Sequence, residues 1–250
     1  MTTTIALITG ANKGIGLETA RQLGARGVTV LAGAREEERG LAAERELRAG
    51  GADAAFVRLD VTDPESVLEA ADWIEKEYGH LDILVNNAGI ARGGPPSQTD
   101  LDAVREVYEV NVFGVIRVTN AMLPLLHRAP AARIVNVSSE VGSISSMTDP
   151  ASPLAHMPAG LAYPSSKTAL NMVTVLYARD LRDTPIRVNA ANPGYTATDL
   201  NGNRGFRSVA EAAQVSVHLA TLPADGPSGI LWGHLWTADA PGDAYGILPW

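Results

Sequence analysis

Short runs of apolar, largely β-branched residues alternate with longer segments of helical periodicity along almost the whole chain. The first run, TIALIT at 4–9, is apolar over most of its length, which is typical of a strand covered on both faces of a sheet. Strands separated by helical segments pair in parallel through crossover helices, and these helices cover both faces. The alternation therefore predicts an α/β fold built on a doubly wound parallel sheet.

The predicted elements follow one another without a break between domains. We expect strands at 4–9, 28–33, 54–60, 81–89, 133–139, 186–194 and 230–237. Helices are expected at 14–26, 36–49, 100–127, 163–182 and 208–221, with one more opened by TDPES, where Pro64 stands in the first turn. No repeat, linker or low-complexity tract divides the 250 residues, so we predict a single domain over 1–250.

Composition and charge exclude several classes of protein. The formal net charge of −8 disfavours nucleic acid and anionic membrane surfaces as partners. The chain has no cysteine, which excludes disulfides and thiolate chemistry, and its five histidines lie far apart, so we predict no metal site. No apolar run reaches the ~20 residues of a membrane helix. Because TTTIALITG at the start is also too short and too β-branched for a signal peptide, we expect a cytoplasmic protein.

The segment TGANKGIG joins the first predicted strand to the first predicted helix. In a doubly wound sheet this turn is the usual phosphate site, because ligands bind beyond the carboxyl ends of the strands. We expect Gly10 to permit the tight exit from the strand, Gly14 to let the backbone approach a pyrophosphate, and Gly16 to let the helix pack on the sheet. The helix N-terminus attracts phosphate. A glycine-rich turn without a ligand is the alternative, but the position favours a dinucleotide site.

The end of the second predicted strand distinguishes between cofactors. NAD sites usually place an acid there to hold the ribose 2′-hydroxyl, whereas this chain has Ala34 followed by Arg35. Arginine suits a 2′-phosphate, and Lys13 in the glycine-rich turn is within reach of the same group. Alternatively, both are ordinary surface charges. The acids at 36–38 would repel a phosphate if they pointed inward, but they also fit the first turn of a helix. We predict NADP(H).

Four polar residues further along the chain suggest proton-transfer chemistry. Tyr163 and Lys167 are four apart and share one helix face, where an ammonium is expected to lower the pKa of the phenol. We therefore expect Tyr163 to protonate a carbonyl oxygen, or to act as the base in the reverse step. Ser139 ends a strand where its hydroxyl would orient a carbonyl, and Asn111 would anchor a water in a proton relay to Lys167. Each residue also has a purely structural interpretation.

Together these motifs resemble those of the classical short-chain dehydrogenases/reductases over nearly the whole chain. The resemblance rests on TGANKGIG, DV at 60–61, NNAG at 86–89, Asn111, SS at 138–139, Tyr163 with Lys167, and NPG at 192–194. It implies a Rossmann-type sheet of about seven strands in the order 3-2-1-4-5-6-7, with Asn111, Ser139, Tyr163 and Lys167 as catalytic residues. The cofactor residues that it implies are Gly10, Asn12, Lys13, Gly14, Ile15, Gly16, Arg35, Asp60, Val61, Asn87, Ala88, Gly89, Tyr163, Lys167, Pro193, Gly194, Thr196 and Thr198.

Within this family, NKGIG, Arg35, DPASPLAH and the terminal PW resemble the carbonyl-reductase-like branch, which uses NADPH. The interval from Ser139 to Tyr163 is longer than usual for the family, as it is in that branch. The oligomeric state is therefore left open among monomer, dimer and tetramer. The loop at 140–162 is expected on the substrate side, and its apolar residues suit either a substrate wall or an ordered lid: Ile144, Met147, Leu154, Met157 and Leu161. The segment 195–208 is short for a substrate lid, and TADAPGD replaces the common C-terminal VDGG.

We predict an NADPH-dependent oxidoreductase that reduces a ketone or aldehyde carbonyl of a small, partly apolar molecule. The alternatives are an NADP-dependent alcohol dehydrogenase working in the oxidative direction and a non-catalytic NADPH-sensing binding protein, which has no need of the four polar residues together. A hydrolase is excluded because Ser139 lacks a G-x-S-x-G elbow. We expect Trp232, Trp236 and Trp250 to serve packing.

Overall fold

The computed structural model describes residues 3–236 and 244–250, and within them eight strands form one sheet. The strands are β1 (Ile5–Thr9), β2 (Thr29–Ala34), β3 (Ala54–Arg58), β4 (Ile83–Asn86), β5 (Arg133–Val137), β6 (Arg187–Asn192), β7 (Leu231–His234) and β8 (Tyr245–Leu248). Their order is β3-β2-β1-β4-β5-β6-β7-β8. The predicted order of the first seven strands, all parallel, is confirmed; β8, which pairs antiparallel with β7, was not predicted.

Eight α-helices connect and cover these strands. They are α1 (Gly14–Gly24), α2 (Glu37–Ala49), α3 (Pro64–Tyr78), α4 (Leu101–Tyr108), α5 (Gly114–Leu126), α6 (Ile144–Thr148), α7 (Ala162–Asp180) and α8 (Val209–Ala220), all within the described part of the chain. Helix α3 begins as predicted, because the Asp63 side chain accepts from the Glu65 N–H and Pro64 occupies the first position. None of the described helices is long and apolar enough to cross a membrane.

Two segments differ from the sequence prediction. The helix expected at 100–127 is interrupted by a π-helical segment, Glu109–Phe113, between α4 and α5. The loop expected at 140–162 contains α6 and two 3₁₀ turns, Glu140–Gly142 and Pro153–His156. Serine side chains cap these short elements, which explains how a Pro- and Ser-rich segment gains local order: Ser143 accepts from Ser146 N–H at the start of α6.

Alternating side chains of the central strands enter two separate cores. Leu7 of β1 packs on one face with residues of α3 and α5, whereas Ile8 packs on the other face with residues of α1 and α8. Both side chains are fully buried, which stabilises the fold by about 1.5–3 kcal/mol each. Parallel pairing brings the carboxyl ends of β1, β4, β5 and β6 to one edge, and the candidate site lies there.

Candidate active site

A cleft of about 980 Å³ runs along the carboxyl edge of the sheet. Every residue predicted to bind the cofactor lines this cleft, and so does Ser139. Asn111 is the exception among the predicted site residues, because it is fully buried behind the cleft. Residues from distant parts of the sequence therefore meet on one surface.

The glycine-rich turn has the backbone that its sequence predicts. Gly10 and Gly14 have φ of +63° and +57°, values that strain any residue with a Cβ. A Cβ on Gly14 would meet no atom nearer than Thr198 Cγ2 at 3.9 Å, so its backbone faces open space in the cleft. A Cβ on Gly16 would instead collide with the Gly10 carbonyl and the Asn87 side-chain amide. The turn thus combines a bare backbone cradle with tight packing at the start of α1.

Three cationic side chains gather at the end of the cleft near this turn. Lys13 Nζ lies 2.8 Å from Asp199 Oδ2 and holds the pKa of that carboxyl below its ordinary value. Arg35 Nε lies 3.5 Å from Glu36 Oε1, and Arg39 Nε lies 3.1 Å from Glu36 Oε2. All five residues line the cleft, and exposed pairs of this kind are worth only ~0–1 kcal/mol. Arg39 was not predicted from the sequence, although its position one helical turn beyond Arg35 could have indicated it.

The acidic residues at 36–38 were expected either to face the cleft or to lie in the first turn of a helix, and both positions occur. Glu36 lines the cleft and lies at the N-cap of α2, whereas Glu37 and Glu38 occupy the exposed first turn of that helix. The negative charge of Glu36 is held between two guanidinium groups. The charged lining of this part of the cleft therefore consists of three cations and two carboxylates, Glu36 and Asp199, each of which is paired with a cation.

Ser139, Tyr163 and Lys167 come together where β5 ends against the start of α7. Ser139 Oγ accepts from the Val141 N–H at 3.4 Å and so caps the 3₁₀ turn that follows β5. Gly142 of that turn rests on α7, since a Cβ there would lie 2.6 Å from the Lys167 carbonyl carbon. Lys167 is 5% exposed; its Nζ donates to the Val137 carbonyl at 2.8 Å and lies 5.5 Å from the ring centroid of Tyr163.

Burial controls the pKa values of this pair. It raises the pKa of Tyr163 to about 12, and a hydrogen bond with Ser139 works in the opposite direction. It also lowers the pKa of Lys167 to about 8. The pKa of Tyr163 in this structure therefore lies above its ordinary value and not below it as expected, because desolvation of the phenolate is the largest effect. At neutral pH Tyr163 therefore carries its proton.

Asn111 lies in the π-helical segment and connects two parts of the site. Its Oδ1 accepts from the Ile90 N–H at 2.9 Å, and its Nδ2 donates to the Ile90 carbonyl at 2.9 Å and to Ser166 Oγ at 3.0 Å. The segment after β4 is thereby attached to α7. π-Helical insertions of this kind often occur at functional sites. The role of Asn111 in a water relay to Lys167 stays a prediction.

A second asparagine organises the edge of the sheet and was not singled out from the sequence. The Asn192 Oδ1 accepts from the N–H of Glu140 at 3.0 Å and of Gly194 at 3.4 Å, while its Nδ2 donates to the His234 carbonyl at 2.7 Å. It is buried and joins the segments that follow β5 and β6 to the last residue of β7. The sequence feature that could have indicated this role is a polar residue at the end of a buried strand, in the NPG motif.

The remainder of the cleft is largely apolar and aromatic. Of the five apolar residues considered for a substrate wall, three line the cleft (Met147, Leu154 and Met157) and two do not (Ile144 and Leu161). Tyr195 and Trp236 also line it, with parallel rings whose centroids are 6.4 Å apart. Trp236 packs as expected, against Tyr195 and Phe206, and it also borders the cleft. Trp232 does pack, with its ring centroid 4.1 Å from that of His218.

The short segment at 195–208 folds back on itself beside the cleft. The Ala197 N–H donates to the Arg207 carbonyl at 3.0 Å, and the Arg207 N–H donates to the Tyr195 carbonyl at 3.1 Å. A 3₁₀ turn, Asp199–Asn201, lies between these contacts. The segment TADAPGD, at 237–243, lies outside the described residues.

Comparisons with known proteins agree with this geometry. A family model described as short chain dehydrogenase matches residues 4–207. A short-chain dehydrogenase of Penicillium roqueforti is 38% identical, with 88% of this chain and 90% of the relative covered. Carbonyl reductase 1 of Bos taurus, whose name specifies NADPH, is 34% identical over 90% of this chain and 94% of its own.

Among solved structures, the NADPH-bound carbonyl reductase from chicken fatty liver superposes with a TM-score of 0.82. It is 30% identical and is covered over 97% of its length by 93% of this chain. Sequence, family model and fold thus agree across nearly the full length. This chain belongs to the short-chain dehydrogenase/reductase family of oxidoreductases and is of the carbonyl-reductase type.

Proposed function

We propose that this protein reduces a ketone or aldehyde carbonyl to an alcohol with NADPH, and that Tyr163 is the general acid. The observation that carries the proposal is the meeting, in one cleft, of Ser139, Tyr163 and Lys167 with a bare glycine-rich turn. A proton donor, a carbonyl-orienting hydroxyl and a phosphate cradle in the same cleft are what carbonyl reduction by a nicotinamide requires. A binding protein needs only the cradle.

The residues present fit NADP(H). The open backbone at Gly14 leaves room for a pyrophosphate, and the cations Lys13, Arg35 and Arg39 supply partners for a 2′-phosphate. When bound, the cofactor supplies a hydride to the carbonyl carbon. The further residues that we assign to hold it are Gly10, Asn12, Ile15, Gly16, Asp60, Val61, Asn87, Ala88, Gly89, Tyr163, Lys167, Pro193, Gly194, Thr196 and Thr198.

Three side chains of the protein act on the substrate oxygen. Ser139 donates a hydrogen bond to the carbonyl and holds it against Tyr163. Tyr163 transfers its phenolic proton to that oxygen, which completes the alcohol. The Lys167 ammonium stabilises the phenolate that remains until it is protonated again. Tyr163 carries its proton at neutral pH, as a general acid in carbonyl reduction must.

The substrate that we assign is a small, partly apolar carbonyl compound. Its apolar part would lie against the 140–162 segment through Met147, Leu154 and Met157, with Tyr195 at the short lid formed by 195–208. Burial of such surface contributes ~25 cal/mol per Å² to binding. A panel of ketones, aldehydes and diketones with NADPH, followed by nicotinamide absorbance, identifies the preferred compound.

Replacement of Tyr163 by Phe tests the mechanism. Tyr163→Phe removes the proton donor and is expected to lower kcat/KM at least ~100-fold, while the Kd for NADPH stays within twofold. Tyr177→Phe is the matched control, because Tyr177 lies on the same helix and its hydroxyl donates to Asn120 Oδ1 instead. Full activity in Tyr163→Phe would refute the assignment.

Replacement of Arg35 by Asp tests the cofactor. Loss of a charge-assisted bond to the 2′-phosphate is expected to weaken NADPH ~10–100-fold while NADH binding changes much less. Arg45→Asp, on the exposed face of α2 outside the cleft, is the control and should leave the NADPH:NADH ratio unchanged. Equal losses for both cofactors in Arg35→Asp would overturn the 2′-phosphate assignment.

A further inference from the structure

Two separate parts of the cleft lining are attached to one ribbon at the edge of the sheet. This edge ribbon consists of β7 (Leu231–His234) and β8 (Tyr245–Leu248), paired antiparallel from Leu231↔Leu248 to His234↔Tyr245. Two residues beyond β7, Trp236 lines the cleft. Two residues beyond β8, Trp250 reaches α6. The ribbon therefore extends to the site from both of its strands.

The contact with α6 consists of two hydrogen bonds to one backbone oxygen. The Trp250 carbonyl accepts from the Ser145 N–H at 3.2 Å and from Ser145 Oγ at 2.7 Å. Met147 of the same helix lines the cleft. Helix α6 has five residues, far fewer than the ~12–15 that a helix needs to persist by itself. Its position thus depends on tertiary contacts, and the contact with Trp250 attaches it to the edge ribbon.

Glu140, directly after Ser139, lies beside the same two parts. Burial raises the pKa of Glu140, while hydrogen bonds from the Trp236 N–H and the Ser146 hydroxyl lower it. Its backbone N–H donates to Asn192 Oδ1 at 3.0 Å. The aromatic lining at Trp236 follows β7 directly, and the aliphatic lining at Met147 belongs to the helix that bonds to Trp250.

We propose that the edge ribbon positions α6 through Ser145 and so determines which carbonyl substrates the cleft accepts by size. The inference rests on the proposed carbonyl reduction and adds a positioning residue outside the reacting groups. Without the Ser145–Trp250 contact, α6 loses its attachment to the ribbon and Met147 no longer holds a fixed place relative to Trp236. A bulky ketone that contacts both linings is then bound less productively, whereas a small ketone that needs only Ser139 and Tyr163 is hardly affected.

The test compares kcat/KM for 2-acetylnaphthalene with kcat/KM for 2-butanone, with NADPH as reductant. Ser145→Ala removes one of the two bonds and is expected to lower this ratio about threefold to tenfold, while the Kd for NADPH stays within twofold. A chain ending at Leu248, which lacks the acceptor for both bonds, is expected to show a larger fall. Ser145→Thr keeps the hydroxyl and should restore the ratio.

Thr148→Ala is the matched control, because the Thr148 hydroxyl bonds to the Ile144 carbonyl within α6 and makes no contact with the ribbon. Hydrogen exchange of the α6 amides is the second readout, and it should accelerate at least about threefold in Ser145→Ala and in the shortened chain, but not in Thr148→Ala. This readout needs no turnover. If the unaltered protein reduces no carbonyl compound, the proposed function fails while exchange still decides whether the ribbon holds α6.

A substrate ratio within twofold of the unaltered protein in both Ser145→Ala and the shortened chain would overturn the specificity proposal, whatever the exchange rates. Unchanged exchange of α6 in both variants would overturn the attachment itself. A lowered ratio together with faster exchange, both reversed by Ser145→Thr, supports the proposal.

Discussion

The buried ammonium of Lys167 should make the stability of the free protein depend on pH in a way that one substitution removes. Burial lowers the pKa of Lys167 from its ordinary 10.5 to about 8. A pKa lowered by ~2.5 units corresponds to about 3 kcal/mol of destabilisation when the lysine is charged, at ~1.36 kcal/mol per unit. The unfolded state binds the proton more tightly, so stability is lowest below pH ~8 and recovers as pH rises toward ~10.5.

Replacement of Lys167 by Met isolates this contribution. The free energy of unfolding of the unaltered protein relative to Lys167→Met should rise by about 2 kcal/mol between pH ~6.5 and ~9.5. Methionine also loses the hydrogen bond from Nζ to the Val137 carbonyl, but a neutral amine donates that bond as well. The lost bond therefore changes the offset between the two proteins and leaves the pH dependence of their difference intact.

Urea unfolding of the cofactor-free proteins at several pH values gives the required difference. Lys76→Met, at an exposed position of α3, serves as the control and should show the same pH dependence as the unaltered protein. A difference between the unaltered protein and Lys167→Met that stays constant within about 0.5 kcal/mol over this range would refute the reasoning. It would mean that Lys167 is not desolvated as its place in the fold requires.

Two further substitutions test the support of the site. Gly142→Ala would place a Cβ 2.6 Å from the Lys167 carbonyl carbon. We expect it to lower the free energy of unfolding, measured in urea, by about 1–3 kcal/mol, and to lower kcat/KM because the adjoining turn carries Ser139. Unchanged stability and activity would contradict this packing. Asn192→Ala leaves the N–H groups of Glu140 and Gly194 without their acceptor. The free energy of unfolding should fall by at least about 2 kcal/mol in the same assay. A decrease below ~0.5 kcal/mol would show that Asn192 does not join the strand ends.

The sequence and the structure agree best where local pattern is enough. The alternation of apolar strands and helical segments predicted a doubly wound parallel sheet, and the family resemblance implied the order of its first seven strands, which the structure confirms. Asp63 and Pro64 predicted the start of α3, because a cap and a first-turn proline act over two or three residues. Strand β8 was not predicted, because a strand of four residues among prolines and glycines is too short to show an alternation of apolar and polar residues.

Agreement is weaker where the environment of a side chain matters. The four-residue spacing of Tyr163 and Lys167 correctly placed them on one helix, but it did not reveal that Lys167 reaches the Val137 carbonyl or that burial raises the pKa of the phenol. Desolvation depends on every element packed around a group, and none of those elements is adjacent in sequence. For the same reason the role of Asn192 was not predicted, since its three partners lie at or just beyond the ends of three different strands.

By itself, then, the sequence of this protein determined which strands are buried, where the chain turns tightly, and which residue types approach a nicotinamide-type site. Only the tertiary structure decided the protonation of buried groups at that site, the pairing of acidic and basic groups near the glycine-rich turn, and the contact of α6 with a ribbon about a hundred residues away. Backbone geometry is set mainly by neighbours along the chain, whereas solvation and side-chain partners are set by neighbours in space.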